Sequence, residues 1–64
     1  MKTYKSEAGV RAALKRQGMQ NMAYEIEEVT GGFTARVYVL DMDDWRTVRD
    51  RGFTPEINKE KAVS

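Results

Sequence analysis

The stretch at residues 22–40, MAYEIEEVTGGFTARVYVL, limits what this chain can fold into more than any other. Apolar and polar residues alternate in it with period two on both sides of a glycine pair. That period is the mark of a β-strand, whose successive side chains point to opposite faces. In the first run Met22, Tyr24 and Ile26 share one face, and Glu25 and Glu27 the other. In the second, Phe33, Ala35, Val37 and Val39 lie opposite to Thr34, Arg36, Tyr38 and Leu40. Gly31-Gly32 supplies two residues that tolerate positive φ, as a primed two-residue hairpin turn requires. The pattern predicts strands over 22–29 and 33–40 joined by a turn at 30–32. This turn sets Ile26 opposite Val37, Tyr24 opposite Val39, Glu27 opposite Arg36 and Glu25 opposite Tyr38. A slip of one residue would bring Ile26 against Arg36 and turn the apolar set outward.

The flanks read as helices. Ser6 is placed as an N-cap, with Glu7 in the first turn, where the helix dipole favours an anion. Val10, Ala13, Leu14 and Gln17 follow at helical spacing, so a helix is predicted over 6–17. Gly18 ends it, with Leu14 and Met19 as the apolar pair of a Schellman ending. After the hairpin, Asp41 caps a second helix over 42–51, with Trp45 and Val48 on its apolar face. Gly52, Val48 and Phe53 repeat the ending of the first helix. Residues 1–5 are expected to be a flexible basic lead-in. Residues 54–64 are expected to be a polar tail, or a short third helix with Thr54 as cap and Pro55 at its first position. The predicted fold is α+β: one small α-β-β-α domain, a two-stranded antiparallel hairpin with both helices packed on one face. Its core would hold Tyr24, Ile26, Phe33, Val37 and Val39 under Val10, Leu14, Trp45, Val48 and Phe53.

At 64 residues the chain is one domain, and a domain this small buries only about 60% of its unfolded surface. It has no cysteine and no histidine, so disulfides and the usual zinc ligand sets are excluded. No metal site, cofactor or catalytic residue is assigned. No apolar run approaches a membrane span, and the N-terminal residues lack the apolar core of a signal peptide. A cytoplasmic protein is expected.

Four groups of residues remain as candidates. Asp41, Asp43 and Asp44 follow an apolar strand, and this string resembles the DxD of phosphotransferases of the haloacid dehalogenase kind, which would imply magnesium-dependent phosphoryl transfer. The parallel sheet and remaining motifs of that family are missing, and helix capping accounts for the acids. Glu25 and Glu27 share a strand face at the spacing of an acid/base pair, but on a face that reads as solvated. Lys5, Arg11, Lys15 and Arg16 are candidate contacts to a phosphate backbone. The helix–hairpin–helix order resembles a truncated double-stranded-RNA-binding domain, but with two strands rather than three and with acids opening the second helix where that family places lysines. Tyr38, with Leu40 and Arg36, is a candidate protein interface, because the register puts an aromatic ring on the polar face.

The expected function is a non-catalytic protein-interaction or accessory module of phage or mobile-element type, with nucleic-acid binding through the first helix as the alternative. Both strands of an isolated hairpin are edges. A two-fold homodimer through the strand at 33–40 is therefore expected, since the first strand is acidic and would repel its own copy.

Overall fold

The computed structural model describes residues 2–63. Among them the elements run α1 (Glu7–Arg16), β1 (Tyr24–Val29), β2 (Gly32–Val39), α2 (Met42–Asp50), β3 (Thr54–Ile57) and α3 (Lys59–Ala62). The fold is a small mixed α+β one. No helix among these residues is long and apolar enough to cross a membrane.

Both principal helices are bounded by the capping chemistry the sequence carries. Ser6 Oγ accepts from the Gly9 N–H at 3.1 Å, and Asp41 Oδ1 accepts from the Asp44 N–H at 2.9 Å. At the end of α1, Gly18 turns to φ +74°. The Met19 N–H then reaches the Leu14 carbonyl at 2.8 Å and the Gly18 N–H reaches that of Lys15 at 3.0 Å, the two bonds of a Schellman ending. The end of α2 repeats this, with Phe53 donating to Val48 and Gly52 to Arg49.

The sheet has three strands in the order β1-β2-β3, which corrects the two-stranded expectation. β1 and β2 are antiparallel; β3 lies parallel to β2, with α2 as the crossover. The segment expected as a polar tail thus supplies β3 and α3, and the cap of α3 is Asn58 rather than Thr54. The Asn58 N–H donates to the Val39 carbonyl. By alternation Thr54 and Glu56 also turn their N–H groups toward β2, and Pro55 sits where its missing N–H faces the open edge, the placement proline tolerates in a sheet.

The hairpin register differs from the predicted one by two residues. Tyr24 pairs with Val37, Glu25 with Arg36, Ile26 with Ala35, and Val29 with Gly32, so the loop is Thr30-Gly31. Positive φ occurs at Gly31 and Gly32 but not at Thr30, so this is not a primed turn. A non-local contact accompanies the shift. Tyr4 and Phe33 exchange both backbone hydrogen bonds, at 2.8 and 2.7 Å. Gly32, at φ +145°, lets the Tyr4 carbonyl approach where a Cβ would stand only 2.3 Å from its oxygen. A two-residue shift keeps every side chain on its predicted face. The lead-in is likewise tied down: the Lys2 N–H donates to the Gly52 carbonyl, and the Tyr4 ring stacks on Phe53 at 6.3 Å.

Val10, Ala13 and Leu14 of α1, Met19, Val48 of α2, and Phe53 close over Ala35, Val37 and Val39 of β2 to form the core. Tyr24, Ile26, Phe33 and Trp45 are half-buried at its margin. The opposite face carries Glu25, Glu27, Thr34, Arg36, Tyr38 and Glu56, with α3 laid across part of it.

Candidate protein interface at the sheet edge

The polar face is an ordered charge array rather than a loose solvated one. Arg36 on the central strand donates from Nε to Glu27 Oε2 at 2.9 Å and from Nη1 to Glu56 Oε1 at 3.1 Å, which joins all three strands. The hydrogen bond and charge of Glu27, with the charge of Glu56 behind them, hold the Arg36 guanidinium above its ordinary value. Asn58 Nδ2 donates to the second oxygen of Glu56. Lys61 of α3 places Nζ 3.3 Å from the Tyr38 hydroxyl, 3.4 Å from Glu25 Oε1 and 4.7 Å from the centre of the Tyr38 ring. The Tyr38 hydroxyl, and then Glu25, raise the Lys61 ammonium above the ordinary lysine value.

This array corrects the side-chain interface expected at Tyr38, Leu40 and Arg36. Tyr38 is 4% exposed, because α3 covers it. Arg36 is engaged by two carboxylates, and Leu40 alone of the three is well exposed. The strand expected to pair with a second copy, at 33–40, is the centre of the sheet. β1 takes one side of it, and β3 with Tyr4 takes the other. Among the described residues β2 is paired on both sides, which leaves no open edge there for the predicted dimer.

The open edge belongs to β1. The Tyr38 N–H donates to the Ala23 carbonyl, so the odd-numbered residues of this strand face β2. By alternation Tyr24, Ile26 and Glu28 turn their N–H and C=O groups away from the sheet. Among the described residues β1 pairs with β2 alone. It is six residues long and contains no proline, lysine or arginine; of the usual devices that blunt an edge it carries charge alone, as Glu25, Glu27 and Glu28. Its side chains supply Glu25 and Glu27 on the face shared with α3, and Tyr24, Ile26 and Glu28 on the face shared with α1 and α2.

The other candidate groups separate in space. Lys5, Arg11, Lys15 and Arg16 are all exposed. Arg11 pairs with Glu7 at 3.5 Å, while Lys15 and Arg16 lie in the last turn of α1, where cations suit the dipole. The Arg51 guanidinium donates to the Gln17 carbonyl, which adds a further charge beside them. Asp41 is spent as a cap and Asp43 pairs with Arg46 at 3.7 Å. No group of three or more potential metal ligands gathers among the described residues. Two shallow depressions, about 200 and 220 Å³, flank Tyr38; each is below the roughly 300–1,000 Å³ of a small-molecule pocket. Lys61 and Glu56 escaped the sequence reading because both lie in the segment taken as a tail. The period-two string Thr54-Pro55-Glu56-Ile57 is the signal that points to Glu56; no such pattern marks Lys61.

Comparison with protein-family models, with curated proteins and with solved structures finds no match to this chain.

Proposed function

We propose that the chain is a non-catalytic protein-interaction module that takes an extended segment of a partner protein onto the open edge of β1. The observation that carries this reading is the outward row of backbone groups at Tyr24, Ile26 and Glu28, on a strand that pairs on one side only. Strand addition gains affinity from main-chain hydrogen bonds and selectivity from alternate side chains. The rest of the sheet supports the choice of edge. β3 is four residues long and holds Pro55, and the early part of β2 is closed by Tyr4.

The test is selection of displayed heptapeptides on the purified protein, followed by amide mapping in solution. Selected peptides should shift the Ile26 and Glu28 amides and should lose binding to Glu28→Pro. That substitution removes an outward N–H and no bond of the native ladder. A selection that returns nothing, or peptides indifferent to the proline, overturns the reading.

Binding of a nucleic-acid phosphate backbone through α1 is the second reading, supported by the exposed bases Lys15 and Arg16 in its last turn and by Arg51, which reaches the Gln17 carbonyl at its end. Titration with duplex DNA and RNA at two salt concentrations tests it. A steep fall in affinity with salt supports it, and the absence of binding at low salt removes it.

A further inference from the structure

We infer that the segment taken by β1 is basic at alternate positions, and that Lys61 is an internal cation standing where the first of those basic side chains would sit. This inference rests on the strand-addition reading.

The charge on the edge carries it. β1 holds Glu25, Glu27 and Glu28 and no base. Its cations come from elsewhere: Glu27 is met by Arg36 of β2, and Glu25 by Lys61 of α3. Glu28 is exposed and makes no ion pair among the described residues. A strand laid along this edge sets two of its side chains, two residues apart, beside Glu25 and Glu27 on one face. The residue between them falls on the other face, against half-buried Ile26. The next residue along on that face falls beside Glu28. The complementary string is basic–apolar–basic, with a polar or basic residue toward the hairpin end. An acidic segment would set like charges directly opposite each other, which disfavours pairing.

The same charges argue against a second copy as the occupant. A two-fold antiparallel pair through β1 that keeps both sets of helices on one side must be centred on a residue. Centred on Ile26, it sets Glu25 of one chain against Glu27 of the other. Centred on Glu27, it sets that residue against itself.

Lys61 completes the case. Its ammonium lies 3.4 Å from Glu25 and over the Tyr38 ring, in the depression lined by Ala23, Tyr24, Glu25, Tyr38 and Lys61. The helix that delivers it is four residues long and buries none of them. The Lys61 ion pair with Glu25 is exposed on both sides, and such pairs contribute little, so an incoming cation competes for Glu25 at small cost. Arg36 differs, because two carboxylates on separate strands hold it.

The experiment uses three synthetic peptides of one length and backbone, with Lys-Val-Lys, Thr-Val-Thr or Glu-Val-Glu at the centre, titrated against the full chain. Affinity and the Ile26 and Glu28 amide shifts are recorded together. The lysine peptide should bind at least about tenfold more tightly than the glutamate peptide, with both edge amides shifting. Lys61→Gln, which frees Glu25, should tighten the lysine peptide about two- to fivefold. Equal binding of all three peptides with edge amides shifting leaves strand addition standing and overturns the basic preference. No shift of the edge amides with any peptide overturns strand addition and this inference with it. Weaker or unchanged binding to Lys61→Gln overturns the role given to Lys61.

Discussion

Replacing Gly32 with alanine tests what sets the hairpin register. The residue sits at φ +145°, and a Cβ there would lie 2.3 Å from the Tyr4 oxygen and 3.1 Å from its carbonyl carbon. Both are backbone atoms that no rotamer change can move away. The Tyr4–Phe33 bridge must therefore open, with loss of bonds of 2.8 and 2.7 Å. Each such bond contributes roughly 0.5–1.5 kcal/mol net, and the unfavourable φ adds about 1–2 kcal/mol. The sum is about 2–5 kcal/mol, against a total stability near 3–10 kcal/mol for a chain of this size. Gly18→Ala is the control. Its φ is +74° but nothing lies within 4 Å of the added carbon, so only the conformational cost of about 1–2 kcal/mol applies. At about 4–8 °C per kcal/mol, Gly32→Ala should melt well below Gly18→Ala in parallel thermal scans. Amide exchange at Tyr4 and Phe33 should become fast in Gly32→Ala alone. If Gly32→Ala is as stable as Gly18→Ala, or keeps those two amides protected, the Tyr4 bridge does not set the register.

The Thr34 hydroxyl is fully buried and has no hydrogen-bond partner among the described residues; Thr34→Val should therefore stabilise the fold by about 1 kcal/mol. A lower urea midpoint for the valine variant would refute this. The Lys61 contacts raise its pKa, so their contribution is complete below the unfolded lysine value and is lost as pH rises through the higher folded value. The stability difference between wild type and Lys61→Met should thus stay constant from about pH 6 to 9 and shrink only above about pH 10.5. Val37 is wholly buried at the centre of the sheet, whereas Ile26 lies half-buried on the open edge. Val37→Asp should abolish cooperative unfolding, while Ile26→Asp, whose carboxylate can reach water, should leave a folded protein weakened by roughly 2 kcal/mol. Equal effects in a denaturant titration would show the edge to be covered.

Local chemistry was legible where the cause is local. Ser6, Gly18, Asp41 and Gly52 bound their helices through short-range hydrogen bonds, and such bonds can be read from spacing. The face of each strand residue was legible too, because period two fixes it. The register was not. A shift of two residues preserves every face, so periodicity cannot distinguish Ile26 opposite Val37 from Ile26 opposite Ala35. The contact that accompanies the observed register comes from Tyr4, which belongs to a segment without periodicity of its own. β3 was hidden for a related reason. Thr54-Pro55-Glu56-Ile57 alternates, but four residues are too few to stand out, and a proline argues against a strand unless that strand is known to be an edge.

Tyr38 shows how an assignment of faces differs from an assignment of exposure. It lies on the polar face, as its position in the alternation requires, yet only 4% of it is exposed. The residues that hide it are Lys61 and its neighbours in α3, which mean nothing in the sequence until β3 returns the chain to the sheet. Once β3 is in place, β2 becomes interior and its side chains are committed: Arg36 to two carboxylates, and Tyr38 to Lys61. What stays open is not a ring on a face but a row of backbone groups on β1. Those groups are generic, so under the strand-addition proposal selectivity would rest on the glutamates beside them. This moves the candidate interface from a surface aromatic to a charged edge. If strand addition occurs there, the acidic strand that disfavours self-pairing is also what would favour a basic partner.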